Sequence, residues 1–161
     1  ENYRPLFHEI FVKVNNAKDK PKKLKVLRRY DSAGLRKLLK AAFDPKIKWL
    51  LPEGDVPFIP NEAPEGTEHS RLELEARTLK NYVGVQQQDG VIISGNEGLN
   101  RMKREILFIQ LLEGLHEKEA QVVLEAKDKT LNKSYKGLTG NLVKEAFNWD
   151  DDYMRKDRPN A

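Results

Sequence analysis

The sequence predicts an all-α fold, a compact bundle of about six to eight helices in one domain over residues 1–149, with a polar tail at 150–161. Three observations carry this. Apolar residues recur at helical spacing through most of the chain, helix-cap residues stand in front of several of these stripes, and strand-like residues are confined to one short stretch. With 161 residues the chain is long enough to bury a core without cross-links, and it has no cysteine to form any.

The elements follow in order. Leu6, Phe7, Ile10, Phe11 and Val14 form a first stripe, Leu24, Leu27 and Tyr30 a second, and Leu35, Leu38, Leu39, Ala42 and Phe43 a third behind the cap residues Asp31 and Ser32. "LLPEGDVPFIPNEAPEGTEH" holds four of the eight prolines and reads as an extended connection. Ser70 with Glu73, and Ser94 with Glu97, have capping-box spacing, which predicts helix starts at both places. The second box precedes "GLNRMKREILFIQLLEGL", apolar around most of its circumference from Ile106 to Leu115. That helix is expected to be central, with Ile106, Phe108, Ile109, Leu111 and Leu112 in the core. "EKEAQVVLEAKD" and "TGNLVKEAFNW" supply two more helices. In "YVGVQQQDGVIISGN" the Asp89-Gly90 turn signal before Val91, Ile92 and Ile93 allows one small hairpin.

Charge is unevenly spread. The net charge is +4, but residues 1–50 carry 14 Lys+Arg against 5 Asp+Glu and residues 51–100 carry 3 against 9. The basic excess peaks in "KDKPKKLKVLRR". Such a run serves either as a solvated helix face or as a site for anions. Absence of cysteine and of any long apolar run, with a polar N-terminal stretch, leads us to expect a protein without membrane spans or signal peptide, in a reducing interior.

No catalytic constellation is legible. His8, His69 and His116 are far apart in sequence, and His116-Glu117 lacks the second histidine of a zinc-binding helix. Gly-rich phosphate loops and nucleophile elbows are missing. Asp150, Asp151 and Asp152 could hold a hard cation, though an acidic tail is the simpler reading. The expectation is a protein with no enzymatic activity, no metal and no cofactor.

"NKSYKGLTGNLVKEAF" places two lysines before a glycine-bounded turn that opens a helix. A helix start offers free N–H groups and partial positive charge, so an anion is its natural guest. The residues "FHEIF", "KPKKLKVLRRYDSAGLRKLLKAAFDPKIKWLLP" and "LLEGLHEKEAQVVLEAKDKTLNKSYKGLTGNLVKEAFNW" resemble small proteins of marine T-even-like tailed bacteriophages, a likeness that brings no activity with it. It implies a location in the host cytoplasm or in the virion. The same helix order is also similar to the N-terminal all-helical DNA-binding domain of ATP-dependent DNA ligases.

That second resemblance implies three phosphate contacts. One is Gly137, Leu138, Thr139 and Gly140 with Lys133 and Lys136; another is Ser94, Gly95 and Asn96 leading to Arg101; the last is Lys20, Lys22 and Lys23. It implies no ligation. The adenylated lysine of a ligase stands two residues before Asp-Gly, and Gln87 occupies that place before Asp89-Gly90. The expectation is a non-catalytic module holding duplex or nicked DNA. The alternative is a virion or interaction component binding an acidic protein, with "AFNWDDDYM" docking as a short peptide on a phage or host partner.

Overall fold

The structure, a computed structural model, describes residues 4–64 and 70–156; His69 and the end of the tail lie outside them. The protein is mostly helical, 52% of it, with a small antiparallel sheet added to the helices. Eight α-helices are found among the described residues. The all-α expectation is corrected in that one respect.

Helices α1 (Phe7–Asn16), α2 (Lys20–Arg29) and α3 (Ala33–Phe43) come from the first three apolar stripes. Each has a local reason to start. Glu9 Oε1 accepts the Leu6 N–H at 2.7 Å, Asp19 Oδ1 accepts from Lys22, and Ser32 Oγ accepts from Leu35. Ser32 is thus the cap of α3, while Asp31 lies 2.8 Å from Arg36. Leu35, Leu38 and Leu39 are completely buried, and α3 packs against both α4 (Leu72–Glu75) and α6 (Glu117–Lys127). Its approach to α4 is so close that a Cβ on Gly34 would stand 2.1 Å from the Glu73 carbonyl oxygen. Only glycine fits there.

Helix α3 therefore takes the central position expected for α5 (Arg101–Gly114). Phe108, Leu111 and Leu112 are buried as expected, but Ile106 is 46% exposed and Ile109 is half-buried. The reason is local: α5 lies along one flank of α6, so only one stripe of its apolar circumference meets other protein. On that stripe Phe108 meets Tyr82 and Trp49 edge to face, with ring centroids 5.1 and 6.4 Å apart.

The anticipated hairpin forms from β2 (Val83–Gln86) and β3 (Ile92–Ser94), closed by Gly90 at φ 89°. β1 (Ile47–Trp49), from the connection after α3, pairs with β2 in the register Ile47 to Val85, making a three-stranded sheet of order β1-β2-β3. Both capping boxes fail. Ser70 Oγ donates to the Gly114 carbonyl, and Leu72 N–H is accepted by Glu119 Oε1. After α4 the chain continues as a 3-10 turn, Ala76–Asn81. Ser94 ends a strand, and α5 is capped by Asn100, which accepts from Lys103 at 2.8 Å.

The last helices are α7 (Leu131–Ser134) and α8 (Gly140–Ala146), the latter capped by Thr139. The segment set apart above as a tail folds back at residues 150–156. Trp149 bridges to Arg155, Lys156 N–H reaches the Asn148 carbonyl, and Tyr153 is buried.

Cations finish many of the helices. Lys23 Nζ donates to the carbonyls of Val14, Asn15 and Ala17 at the end of α1, and Lys129 Nζ to Ala41 and Asp44 at the end of α3. Arg28 donates to Glu145 and Ala146 at the end of α8. Carbonyls at a helix end lie beyond the regular ladder and carry the negative end of the dipole, and even where a cap N–H reaches one, as Ala17 reaches Val14, a second lone pair is left for a cation. Burial lowers the Lys129 ammonium pKa to about 8.

Candidate nucleic-acid interface

Two of the three expected phosphate contacts are neighbours in space. Gly137 N–H donates to Asn15 Oδ1 at 2.8 Å, which holds the turn after α7 on the end of α1. A Cβ on Gly137 would lie 2.8 Å from Lys23 Nζ. Lys133 at the end of α7 and Lys136 in the turn after it are thereby brought toward the start of α2. The sequence separation between these segments exceeds 100 residues, and packing of α2 on both α1 and α8 closes it.

The individual residues divide by what already holds them. Lys23 is committed to the three carbonyls of α1. Lys20 is ion-paired with Glu145 at 2.6 Å. Lys18, Lys22, Lys25, Lys133 and Lys136 are exposed, and none forms an ion pair among the described residues. Lys22 and Lys136 are chain neighbours of Lys23 and Gly137, Lys18 follows Ala17, whose carbonyl Lys23 holds, and Lys133 stands three residues before Lys136. These four free ammonium groups therefore border the Lys23–Gly137 contact, while Lys25, two residues on from Lys23, lies on a different side of α2 from it. Exposed ammonium groups without carboxylate partners can accept a polyanion at no cost in broken ion pairs.

The helix start at Gly140 is not open in the way the sequence implies. Thr139 Oγ1 accepts the Leu142 N–H at 3.2 Å, and a Cβ on Gly140 would meet the Tyr153 hydroxyl at 2.9 Å with Phe43 just beyond. Glycine there makes room for this protein's own tyrosine. Leu138 is buried.

The contact at Ser94, Gly95 and Asn96 stands apart. It is the end of a strand, not a helix start: Ser94 Oγ accepts from Asn96 N–H, and Gly95 N–H donates to the Val83 carbonyl. Asn96 Nδ2 donates to Asn81 Oδ1, and a Cβ on Gly95 would strike the Lys80 carbonyl oxygen at 2.5 Å. Arg101 opens α5 and pairs with Glu105 one turn on.

The acids and histidines also find places. Asp150 accepts N–H groups of Asp152 and Met154, Asp151 pairs with Lys144 and Asp152 with Lys46. No group of His, Asp or Glu side chains among the described residues could hold a metal ion. His8 and His116, distant in sequence, stack with ring centroids 5.4 Å apart. No helix among the described residues is long and apolar enough to cross a membrane.

Sequence reasoning passed over a second cationic site. Arg36, Lys37 and Lys40 on α3 face Trp149, Tyr153, Met154 and Arg155 across a cleft of about 340 Å³. The spacing of the three cations is legible in the sequence; the opposite wall is not, because polar residues 150–156 carry no periodicity that predicts their folding back.

What fold and surface define is a mostly helical domain with a small sheet and a basic face built from both ends of the chain. The chain belongs to a family of unknown function, DUF6433, which it matches over residues 10–133. That span takes in Lys20, Lys22, Lys23 and Lys133, while Lys136 and α8 lie beyond it. No curated protein and no solved structure matches the chain.

Proposed function

We propose that this protein is a non-catalytic module that holds duplex or nicked DNA through its phosphates. The observation that carries the reading is the seating of Gly137 against Asn15 and Lys23, which brings the segment bearing Lys133 and Lys136 to the end of α1 and the start of α2, where Lys18 and Lys22 stand. Closely spaced cations repel one another, and a polyanion relieves that repulsion while releasing its own counterions. The resemblance to ligase DNA-binding domains supports the same reading, and the resemblance to phage proteins is consistent with a module that works in the host cytoplasm or the particle.

The face acts by charge and position. Its lysines are flexible point charges, so they fix the protein on the backbone without reading base edges. Binding should therefore depend steeply on salt and little on sequence. Ser94, Gly95, Asn96 and Arg101 contribute only if the DNA path extends to the sheet. Gly140 and Lys23 serve by shaping the loop and not by touching phosphate.

The rival reading, docking of "AFNWDDDYM" on a partner, would require Trp149 and Tyr153 to leave the core in which both are buried. A salt titration of duplex binding, with wild type beside a variant lacking the free lysines, tests the proposal.

A further inference from the structure

Arg36, Lys37 and Lys40 stand with Ala33 along α3 at positions three or four apart, which sets them on one side of the helix. Residues 149–155 fold over that side and supply Trp149, Tyr153, Met154 and Arg155 as the opposite wall. Every charged residue lining the cleft is positive. The cleft along α5 includes Glu75 and Glu113 instead, and the one beside α8 mixes Lys20, Lys144 and Lys156 with Glu145, Asp150 and Asp151.

The three cations of α3 differ in what holds them. Asp31 Oδ1 lies 2.8 Å from Arg36 Nε, yet off the N–H direction, so that buried N–H has no hydrogen-bond acceptor. Lys40 Nζ reaches the Met154 sulfur at 3.8 Å, a weak acceptor for an ammonium. Lys37 is exposed and has no carboxylate within ion-pair distance among the described residues. The nearby acids are turned to other tasks: Asp150 caps its own turn, Asp151 holds Lys144 and Asp152 holds Lys46. Asp31 offsets the charge of Arg36 alone; Lys37 and Lys40 stand beside it without a carboxylate of their own, so like charges repel there and a compact anion removes the cost.

We propose that this cleft binds a phosphomonoester, the terminal phosphate of a nucleotide or of a nucleic-acid strand. At about 340 Å³ it lies near the lower end of small-ligand sites, roughly 300–1,000 Å³, and is too confined for a duplex. A terminal phosphate carries nearly two charges at neutral pH, against one for a backbone diester, and so makes fuller use of clustered cations. The Arg36 guanidinium, its Nε beside Asp31, offers its terminal N–H groups to phosphate oxygens, and Lys37 and Lys40 add point charge. Trp149 and Tyr153 present apolar wall to the sugar or base. The residues are distinct from the basic face, so the inference rests on the DNA-binding reading only in naming nucleic acid as a source of the phosphate.

Calorimetry and tryptophan fluorescence with inorganic phosphate, adenosine, adenosine 5′-monophosphate and O-phosphoserine test the site. So does one single-stranded oligonucleotide carrying either a 5′-phosphate or a 5′-hydroxyl. The monophosphate should bind and adenosine should not, and the 5′-phosphate strand should bind about tenfold tighter than its 5′-hydroxyl twin. Lys37→Ala with Lys40→Ala should abolish both differences and leave the salt slope for duplex unchanged. Should the double variant lose its helical dichroism, the single change Lys37→Glu at an exposed position gives the same reading. Binding of the monophosphate but not of the strand end supports the site and assigns it to free nucleotides. No response of wild type to millimolar phosphate or monophosphate overturns the proposal, and phosphoserine binding as tightly as the monophosphate overturns the nucleotide assignment. Loss of duplex binding in a variant of the basic face, with monophosphate binding kept, separates this site from the other.

Discussion

Glu119 Oε2 accepts the backbone N–H of Phe7 at 3.1 Å, joining the start of α1 to the first turn of α6 across 112 residues of sequence. Its other oxygen accepts the Leu72 N–H at 2.9 Å, so one buried carboxylate caps two helix starts. Replacement by Ala leaves both N–H groups unsatisfied, at about 1–3 kcal/mol each, offset in part by removal of a buried charge. Glu119→Ala should lower the urea midpoint by the equivalent of at least about 2 kcal/mol.

The same residue sets a pH dependence. Burial raises the Glu119 pKa, and the two N–H bonds, with Arg71 and His116, counter it only in part. A carboxyl whose folded pKa is raised contributes stability that is complete below its unfolded value, about 4.5, and is lost as pH rises through the folded value. The stability difference between wild type and Glu119→Ala should therefore be larger near pH 4.5 than at pH 8. Urea unfolding of both proteins across that range checks it; a difference that grows with pH contradicts the assignment.

Much of this was readable in the chain, and the failures have physical causes. Stripes such as Leu35, Leu38 and Leu39 gave their helices because each buries one face against a neighbour. Ser70 misled because a cap motif states what a serine can do locally, while Glu119 and Gly114, distant in sequence, decided the outcome, and Ser94 because it ends β3 and its hydroxyl accepts the Asn96 N–H instead. Ile47 in β1 was hidden because a three-residue strand has no periodicity to detect. Lys20, Lys22 and Lys23 look alike in the sequence. Only the fold distinguishes the one paired with Glu145, the one free, and the one bound to three carbonyls.

That sorting gives a third prediction. Lys22→Ala should leave stability within about 0.5 kcal/mol of wild type, as for an exposed unpaired side chain. Lys23→Ala strips a charged donor from the end of α1 and should cost about 1.5–3 kcal/mol. Thermal or urea unfolding of the two variants side by side measures the contrast. Equal stability of the two would mean that the carbonyl contacts of Lys23 contribute nothing.

Helix α5 offers a fourth. Phe108→Ala removes a buried ring that meets Tyr82 and Trp49, and should cost about 3–5 kcal/mol. Ile106→Ala, at a half-open position on the same helix, should cost under about 1 kcal/mol. Comparable losses at both sites would place α5 deeper in the core than the structure does.

The central claim is that the basic face around the Lys23–Gly137 contact holds DNA by its phosphates. The most direct test is fluorescence anisotropy of labelled duplexes of unrelated sequence, titrated at several salt concentrations with wild type and with the variant Lys22→Ala, Lys133→Ala, Lys136→Ala. The account predicts that wild type binds all duplexes similarly, with affinity falling linearly in log–log form by about 0.9 per phosphate contact. It predicts that the triple variant binds more weakly, with a slope flatter by roughly 2 to 3 and unchanged sequence preference. Absence of binding by wild type at low salt and micromolar protein, or a triple variant with the wild-type affinity and slope, would contradict it.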